Sequence, residues 1–329
     1  MDRIVALLVR VVSLFAGWAQ VLPGAQYARY VPGQKLKVLL AGYNGARNIG
    51  SDVRVAALAD QIIAALGADN VEVSVMSFDL ESTAPYFEGK VRQVSFSTIF
   101  FIPLLKACSE HHVVVLCEGS TFKSKFADAL TLYSCEAAGV ARAQGKPCIA
   151  YGGEVGQMEP YLERTVRDLC SDVYFMARSE ASYEDARNLG LQAWRGTDTA
   201  WTFDIPVVLS KNHDGYVMGE ILRSSSLLLT SRYHAQVLAT GANVPTVAVS
   251  MDERLDNLAA ELGAPRDLLL HVGQEDLAER ILIALDYAQD NRDAIEQCLD
   301  DAHARLEGVL SDMAGEFASF LSAGSRSER

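Results

Sequence analysis

Arg232 and His234, in the run Thr230-Ser231-Arg232-Tyr233-His234, are the two side chains whose types and spacing best suit chemistry. They follow an apolar run, Leu227 to Thr230, that reads as a short strand, and they open a helical pattern through Thr240. A helix start at a strand's C-terminal end turns free backbone N–H groups outward, which favours an anion. The Arg232 guanidinium adds a planar fork of donors that matches phosphate or carboxylate. His234 can give or take a proton near neutral pH, and Ser231 supplies a hydroxyl. A bland reading is also open: Arg232 paired with an acid across a lobe interface, and His234 hydrogen-bonded in a core.

Other turns add polar groups. The loop Gly42-Tyr43-Asn44-Gly45-Ala46-Arg47-Asn48-Ile49-Gly50 precedes a helix, with Asn44, Asn48 and Asp52 beside Gly50. Its spacing matches neither the dinucleotide fingerprint nor the phosphate loop. Its glycines allow close approach to a ligand or simply a tight turn. Glu118-Gly119-Ser120-Thr121 offers hydroxyls to an anion or a sugar, or else a plain N-cap. In Gly152-Gly153-Glu154 the acid is a candidate base or a surface carboxylate. Arg178 ends a strand, where it is either a second anion clamp or a partner for Glu180 or Asp198. Asp198 follows a short strand, in position to orient an arginine. His111 and His112 precede a strand at the opposite edge, and His213, His271 and His303 have no partners in sequence. No histidine or carboxylate spacing suggests a metal site. No Gly-x-Ser-x-Gly elbow is present.

These residues need a scaffold, and the hydrophobic pattern supplies one. Apolar runs at Lys37 to Ala41, Val71 to Met76, Val91 to Phe96, Val113 to Cys117, Cys148 to Tyr151, Val173 to Ala177 and Gln192 to Arg195 read as strands. Helical patterns at Ser51 to Leu66, Ile99 to Cys108, Lys123 to Ala143, Glu159 to Leu169 and Ser179 to Asn188 alternate with them. This order is that of a doubly wound, Rossmann-like α/β lobe over residues 36–205. Right-handed crossovers put every strand's C-terminal end on one edge. The loops at Gly42, Gly119, Gly152, Arg178 and Asp198 therefore share that edge, where sites of open α/β folds form. Residues 206–329 form a shorter, helix-rich α/β lobe. It has strands at Leu227 to Thr230, Thr246 to Ser250 and Leu268 to His271, and helices at Met218 to Arg223 and from Asp252 or Glu253 to Leu262. A helical tail from Glu275 to about Leu321 is expected to break near Asp290 and Gly308, and Ser325 to Arg329 to fray.

Residues 1–35 stand apart. Ile4 to Val9 and Val11 to Ala19 are apolar around Arg10, and Pro23-Gly24 and Pro32-Gly33 punctuate the chain before the first strand. The stretch suits a helix packed on the body or a partner, a membrane-surface helix, or a leader or span; Asp2 and Arg10 disfavour the last two.

The 329 residues exceed one ordinary core. With 50% hydrophobic and 22% charged residues the composition is globular. A net charge of -13 without a Lys/Arg run excludes a nucleic-acid backbone partner. Six cysteines without a close pair argue against a disulfide framework. A reducing, cytoplasmic compartment fits best, with peripheral attachment at a membrane's inner face and homo-oligomerisation both open.

The motifs together resemble the polysaccharide pyruvyl transferase family. The similar elements are Gly42-Tyr43-x-Gly45 with Asn48-x-Gly50, Cys117-Glu118-Gly119-Ser120, Tyr151-Gly152-Gly153-x-x-Gly156, Ala177-Arg178-Ser179-Glu180-x-Ser182, Thr197-Asp198-x-Ala200, Thr230-Ser231-Arg232-Tyr233-His234 and Val249-x-Met251-Asp252-Glu253-Arg254. The resemblance implies a two-lobed, glycosyltransferase-like (GT-B-like) fold, here with a reduced second lobe, and an active site between the lobes. It implies transfer of a pyruvyl group from phosphoenolpyruvate, without a further cofactor, to two hydroxyls of a sugar or lipid-linked sugar in a cell-surface glycan precursor. Arg232 and His234 take the family's catalytic positions, and Arg178 that of its strand-end arginine. Two rivals are a nucleotide-sugar glycosyltransferase of similar fold and a non-catalytic binding or assembly protein.

Overall fold

A computed structural model describes residues 2–18, 27–46, 48–87, 89–124, 128–203 and 214–324. Pro23-Gly24, Arg47, the segment 204–213 with His213, and Ser325 to Arg329 lie outside the described residues. The chain divides into two compact units: Met1–Thr199 with Asp312–Arg329, and Ala200–Ser311. The expected boundary at residues 205 and 206 thus moves to Thr199, and the end of the chain rejoins the first unit.

The first unit holds β1 (Leu36–Asn44), α2 (Ile49–Leu66), β2 (Val71–Ser77), α3 (Leu80–Phe87), β3 (Arg92–Ser95), α4 (Phe101–Glu110) and β4 (Val113–Leu116). It continues with α5 (Asp128–Ala143), β5 (Cys148–Gly153), α6 (Pro160–Leu169), β6 (Tyr174–Ala177), α7 (Glu180–Asn188) and β7 (Gln192–Arg195). The strands form one parallel sheet in the order β3-β2-β1-β4-β5-β6-β7. Val113 to Leu116 is buried throughout, as a central strand covered on both faces must be. The order reverses between β1 and β4, which opens a crevice at their C-terminal ends. Helix α3 was not foreseen, because Pro85 breaks its pattern.

The apolar N-terminal stretch is a single helix, α1 (Asp2–Trp18), packed on the first unit rather than set apart. Arg10 does not interrupt it. Its guanidinium reaches sideways to Asp168 at 2.8 Å and Thr165 at 3.2 Å. Among the described residues no helix is long and apolar enough to cross a membrane.

The second unit contains α8 (Asp214–Arg223), β8 (Leu228–Thr230), α9 (Tyr233–Gly241), β9 (Thr246–Ser250), α10 (Glu253–Leu262), β10 (Leu269–His271) and α11 (Leu277–Asp290). Its strands form a parallel sheet, β10-β9-β8, over a core that includes Val247, Leu270, Ala284 and Leu299. The tail breaks near Asp290 as expected, but α12 (Arg292–Gly324) runs through Gly308. One exposed glycine costs a helix only about 1 kcal/mol, too little to end a helix this long. Residues 312–324 of α12 count with the first unit, where Phe317 meets Tyr151 edge-on and Phe320 stacks on Tyr174.

Candidate functional site

The C-terminal edge of the large sheet is organised by a charge network that starts from a residue sequence reading passed over. Helix α2 is buried on nearly all sides from Gly50 to Ala59, and Arg54 lies inside that stretch at 1% exposure. Its guanidinium spends its donors on three strand ends. Nε donates to Asp198 Oδ1 at 2.9 Å, Nη1 to the Cys117 carbonyl at 3.2 Å, and Nη2 to the Gly152 carbonyl at 2.6 Å. Asp198 also accepts from Arg178 Nη1 at 3.4 Å. Arg178 Nη2 donates to Glu154, whose other oxygen takes Lys123 Nζ at 2.7 Å. All five charged side chains are at most 6% exposed. An isolated charge at such depth costs several kcal/mol, so mutual pairing is the condition for burying any of them.

This settles several expected roles. Arg178 was expected to clamp a donor anion, but its guanidinium is held by the protein's own carboxylates. Glu154 and Asp198 belong to the same brace rather than to an open site. Glu180, the other proposed partner of Arg178, pairs with Arg195. Asn44 is buried, and its amide donates to the Met76 carbonyl at 3.0 Å. Gly153 ends β5 and its carbonyl accepts from the Arg178 N–H at 2.8 Å. Gly50 is buried in the first turn of α2. The signal for Arg54 was present: a lone arginine within Val53-Arg54-Val55-Ala56-Ala57 on a buried helix demands a partner.

Gly119 and Gly152 are required by the brace. A Cβ on Gly119 would lie 2.8 Å from Arg54 Nη1 and 3.1 Å from Arg178 Nη1. Gly152 has φ +64 and presents its carbonyl to Arg54.

Above this buried layer the crevice between β1 and β4 offers a partly exposed carboxylate, Glu118. One of its oxygens faces the Tyr43 N–H at 3.3 Å and Ser51 Oγ at 3.4 Å; the other faces the Ser120 N–H at 3.4 Å. Asn48 is exposed at the start of α2, with its amide 3.2 Å from Ser51 Oγ. Glu118 and Asn48 are thus groups of this edge able to meet hydroxyls, while Ser120 beside them is buried. Cys117 below them is a buried thiol, pushed up to about 12 by burial first and the neighbouring Glu118 second, so it is no nucleophile at neutral pH.

In the second unit, Arg232 occupies the N-cap position of α9 with an exposed side chain. Its backbone N–H donates to Thr230 Oγ1 at 3.0 Å, and its guanidinium forms no ion pair with a described residue. Tyr233 is buried and fixes the helix start. Ser231 and His234 are half-buried, the His234 imidazole lying edge-on to the Tyr233 ring at 5.0 Å between centroids. The same edge carries an arrangement the sequence did not reveal, because its members lie far apart along the chain. His271 Nε2 meets Asp256 Oδ1 at 2.5 Å, and Ser250 Oγ donates to Asp256 Oδ2 at 2.7 Å. Burial pushes the Asp256 carboxyl up, but the hydrogen bonds from Ser250 and His271 outweigh it and hold the group below its usual range. Among the described residues no group of three or more His, Cys, Asp or Glu is placed to hold a metal ion.

No protein-family model and no curated protein matches the sequence. Solved structures do. A candidate UDP-N-acetylglucosamine 2-epimerase from Listeria monocytogenes superposes with a TM-score of 0.57 at 14% identity, over 86% of this chain and 97% of that one. A spinosyn forosaminyltransferase gives 0.47 at 12% identity, over 88% and 99%. At such identity the likeness is one of fold. The chain has a GT-B-like α/β fold, with a large parallel sheet in one unit and a smaller, helix-rich second unit.

Proposed function

We propose that this protein is a transferase of glycan biosynthesis that moves a pyruvyl group from phosphoenolpyruvate onto two hydroxyls of a sugar. The observation that carries the reading is Arg232: an exposed guanidinium at the N-cap of a nine-residue helix, with His234 two positions on. A planar fork of charged donors at the positive end of a helix suits a small molecule that bears phosphate and carboxylate. The resemblance of the Ser231-Arg232-Tyr233-His234 turn and the glycine motifs to the polysaccharide pyruvyl transferases points to the same donor.

Protonated His234 gives its proton to the methylene carbon of the donor, which becomes a methyl group and leaves the central carbon electrophilic. A sugar hydroxyl attacks that carbon and its proton returns to His234. The C–O bond to phosphate breaks, and the second hydroxyl closes the ketal as its proton goes to the departing phosphate. Arg232 neutralises the donor and stabilises the charge on the leaving group. The buried network around Arg54 takes no part in proton transfer; it holds the loops.

The test is phosphate release from phosphoenolpyruvate with a panel of lipid-linked and nucleotide-linked sugars, with the His234→Ala protein alongside. Acceptor-dependent phosphate release, lowered by at least ~10²-fold in the variant, supports the reading, since general acid catalysis is typically worth 10² to 10⁴. Turnover of a nucleotide sugar without phosphoenolpyruvate would replace it with glycosyl transfer. Binding of neither donor would leave a non-catalytic protein.

A further inference from the structure

We propose that α1 is a dimerisation helix whose outward face packs against the same face of a second copy of this chain. Every residue involved belongs to the first unit, and the pairing is independent of the reaction proposed above.

The helix is oriented against the usual rule. It turns small residues inward: Ala6, Ser13 and Ala16, with Val9, are buried, and Ser13 sits so close to α5 that a Cβ on Gly139 would clash with it. Its large residues point outward. Ile4, Leu7, Val11, Leu14 and Trp18 are 51–77% exposed. Their spacing alternates three and four, which is the seam of a helix pair. Leu8 and Phe15, exposed on one flank of the seam, widen it as e positions do. A monomer rarely leaves so continuous an apolar face in water.

Two observations favour a second copy over a lipid surface. The two cations of the helix flank this face and are engaged by the chain itself: Arg10 is tied to Asp168, and Arg3 lies over the Tyr161 ring, 5.8 Å from its centroid. Interfacial helices instead keep Lys and Arg along the polar border for headgroups. The second observation is area. The outward side chains of α1 expose roughly 900 Å² per copy, which exceeds the about 800 Å² per partner that a standard interface covers. A face without charges meets itself with nothing to repel, as a two-fold contact requires. Val11 lies at the middle of the seam; it meets its own mate in a parallel pair and lies within one layer of it in an antiparallel pair centred there.

The experiment uses the full chain in sedimentation velocity at micromolar concentration, together with flotation on neutral and on anionic vesicles. The wild type is expected to sediment as a dimer and not to float. A Leu7→Glu/Leu14→Glu double variant is expected to be a monomer with unchanged circular dichroism. Val11→Cys under mild oxidation is expected to cross-link as a dimer beyond the wild-type background. A monomeric wild type, a double variant that still dimerises, or a monomer that floats would each overturn the proposal. If the double variant fails to fold, the Val11→Cys reaction decides, and cross-linking no greater than the wild type's would overturn it.

Discussion

Arg54 Nε lies 2.9 Å from Asp198 Oδ1, and the two side chains are 2% and 0% exposed. The residues are 144 positions apart in the chain. One stands early in the helix after β1 and the other beyond the last strand of the sheet. Through its two remaining nitrogens the same guanidinium also fastens the ends of β4 and β5. The pair is therefore the point at which four stretches of chain become one rigid edge. The loops around exposed Asn48 and partly exposed Glu118 stand on that edge.

Removing Arg54 should unfold the protein more readily than any exposed substitution. An Arg54→Met variant strips Asp198 of its closest cation and leaves two backbone carbonyls without their donor. Breaking a buried pair on one side costs about 3–5 kcal/mol. An Arg54→Met/Asp198→Leu double variant should recover part of that loss, since two apolar groups leave no lone buried charge between them. Denaturant midpoints at constant slope would measure both. A single variant within ~1 kcal/mol of the wild type would show that the network braces nothing.

The glycines should separate by location. Gly119→Ala places a methyl group against the Arg54 and Arg178 guanidinium groups, neither of which can retreat without leaving a partner. Overpacking of this kind costs about 1–3 kcal/mol. Gly308→Ala, on an exposed part of α12 with nothing within 4 Å of the new atom, should stabilise by about 0.5–1 kcal/mol. Thermal unfolding of the two variants should give Tm shifts of opposite sign. A neutral Gly119→Ala would mean that the turn moves freely over the brace.

Much of this architecture was legible in the sequence because parallel strands buried on both faces leave plain apolar runs, and glycine turns punctuate them. Val113 to Leu116 and Thr246 to Ser250 are such runs, and the helix caps at Ser179 and Asp252 stand where side-chain type predicts them. The site was less legible, for a physical reason. A side chain's type tells what it can bind but not whether the protein has already bound it. Arg178 reads as an anion clamp until Glu154 and Asp198 are found against it. Arg232 reads the same way, and its exposed side chain retains that capacity. Pairings between distant segments, such as Arg54 with Asp198 or His271 with Asp256, leave no local spacing to read.

Glu136 should make stability fall with rising pH. Its carboxyl is fully buried on α5, neither oxygen finds a hydrogen-bond partner, and burial pushes its pKa up to about 9. The unfolded chain ionises near the model-peptide pKa of about 4.3 while the folded chain stays protonated. The group's contribution is therefore fully present below that unfolded value and is lost as pH climbs towards the folded one, at up to about 1.4 kcal/mol per pH unit. Glu136→Gln removes the titration. Its stability relative to the wild type should rise steadily between about pH 5 and pH 8. Parallel stability curves for the two proteins across that window would show that the buried acid does not titrate as described.

Arg232 should act on binding and leave folding alone. It is exposed and forms no ion pair with a described residue, so Arg232→Ala should change stability by no more than about 0.5 kcal/mol. A lost charge-assisted hydrogen bond is worth about 1.5–3 kcal/mol, so Kd for phosphoenolpyruvate should rise at least about tenfold. Arg232→Lys keeps the charge but loses the planar fork, and should recover only part of the affinity. Salt should weaken donor binding to the wild type more than to Arg232→Ala, because an exposed charge is screened over about 8–10 Å at physiological ionic strength. Calorimetric titration of each protein with the donor at two salt concentrations measures all three effects. Equal affinity in the wild type and Arg232→Ala would detach the helix start from donor recognition and leave His234 without a bound substrate to protonate.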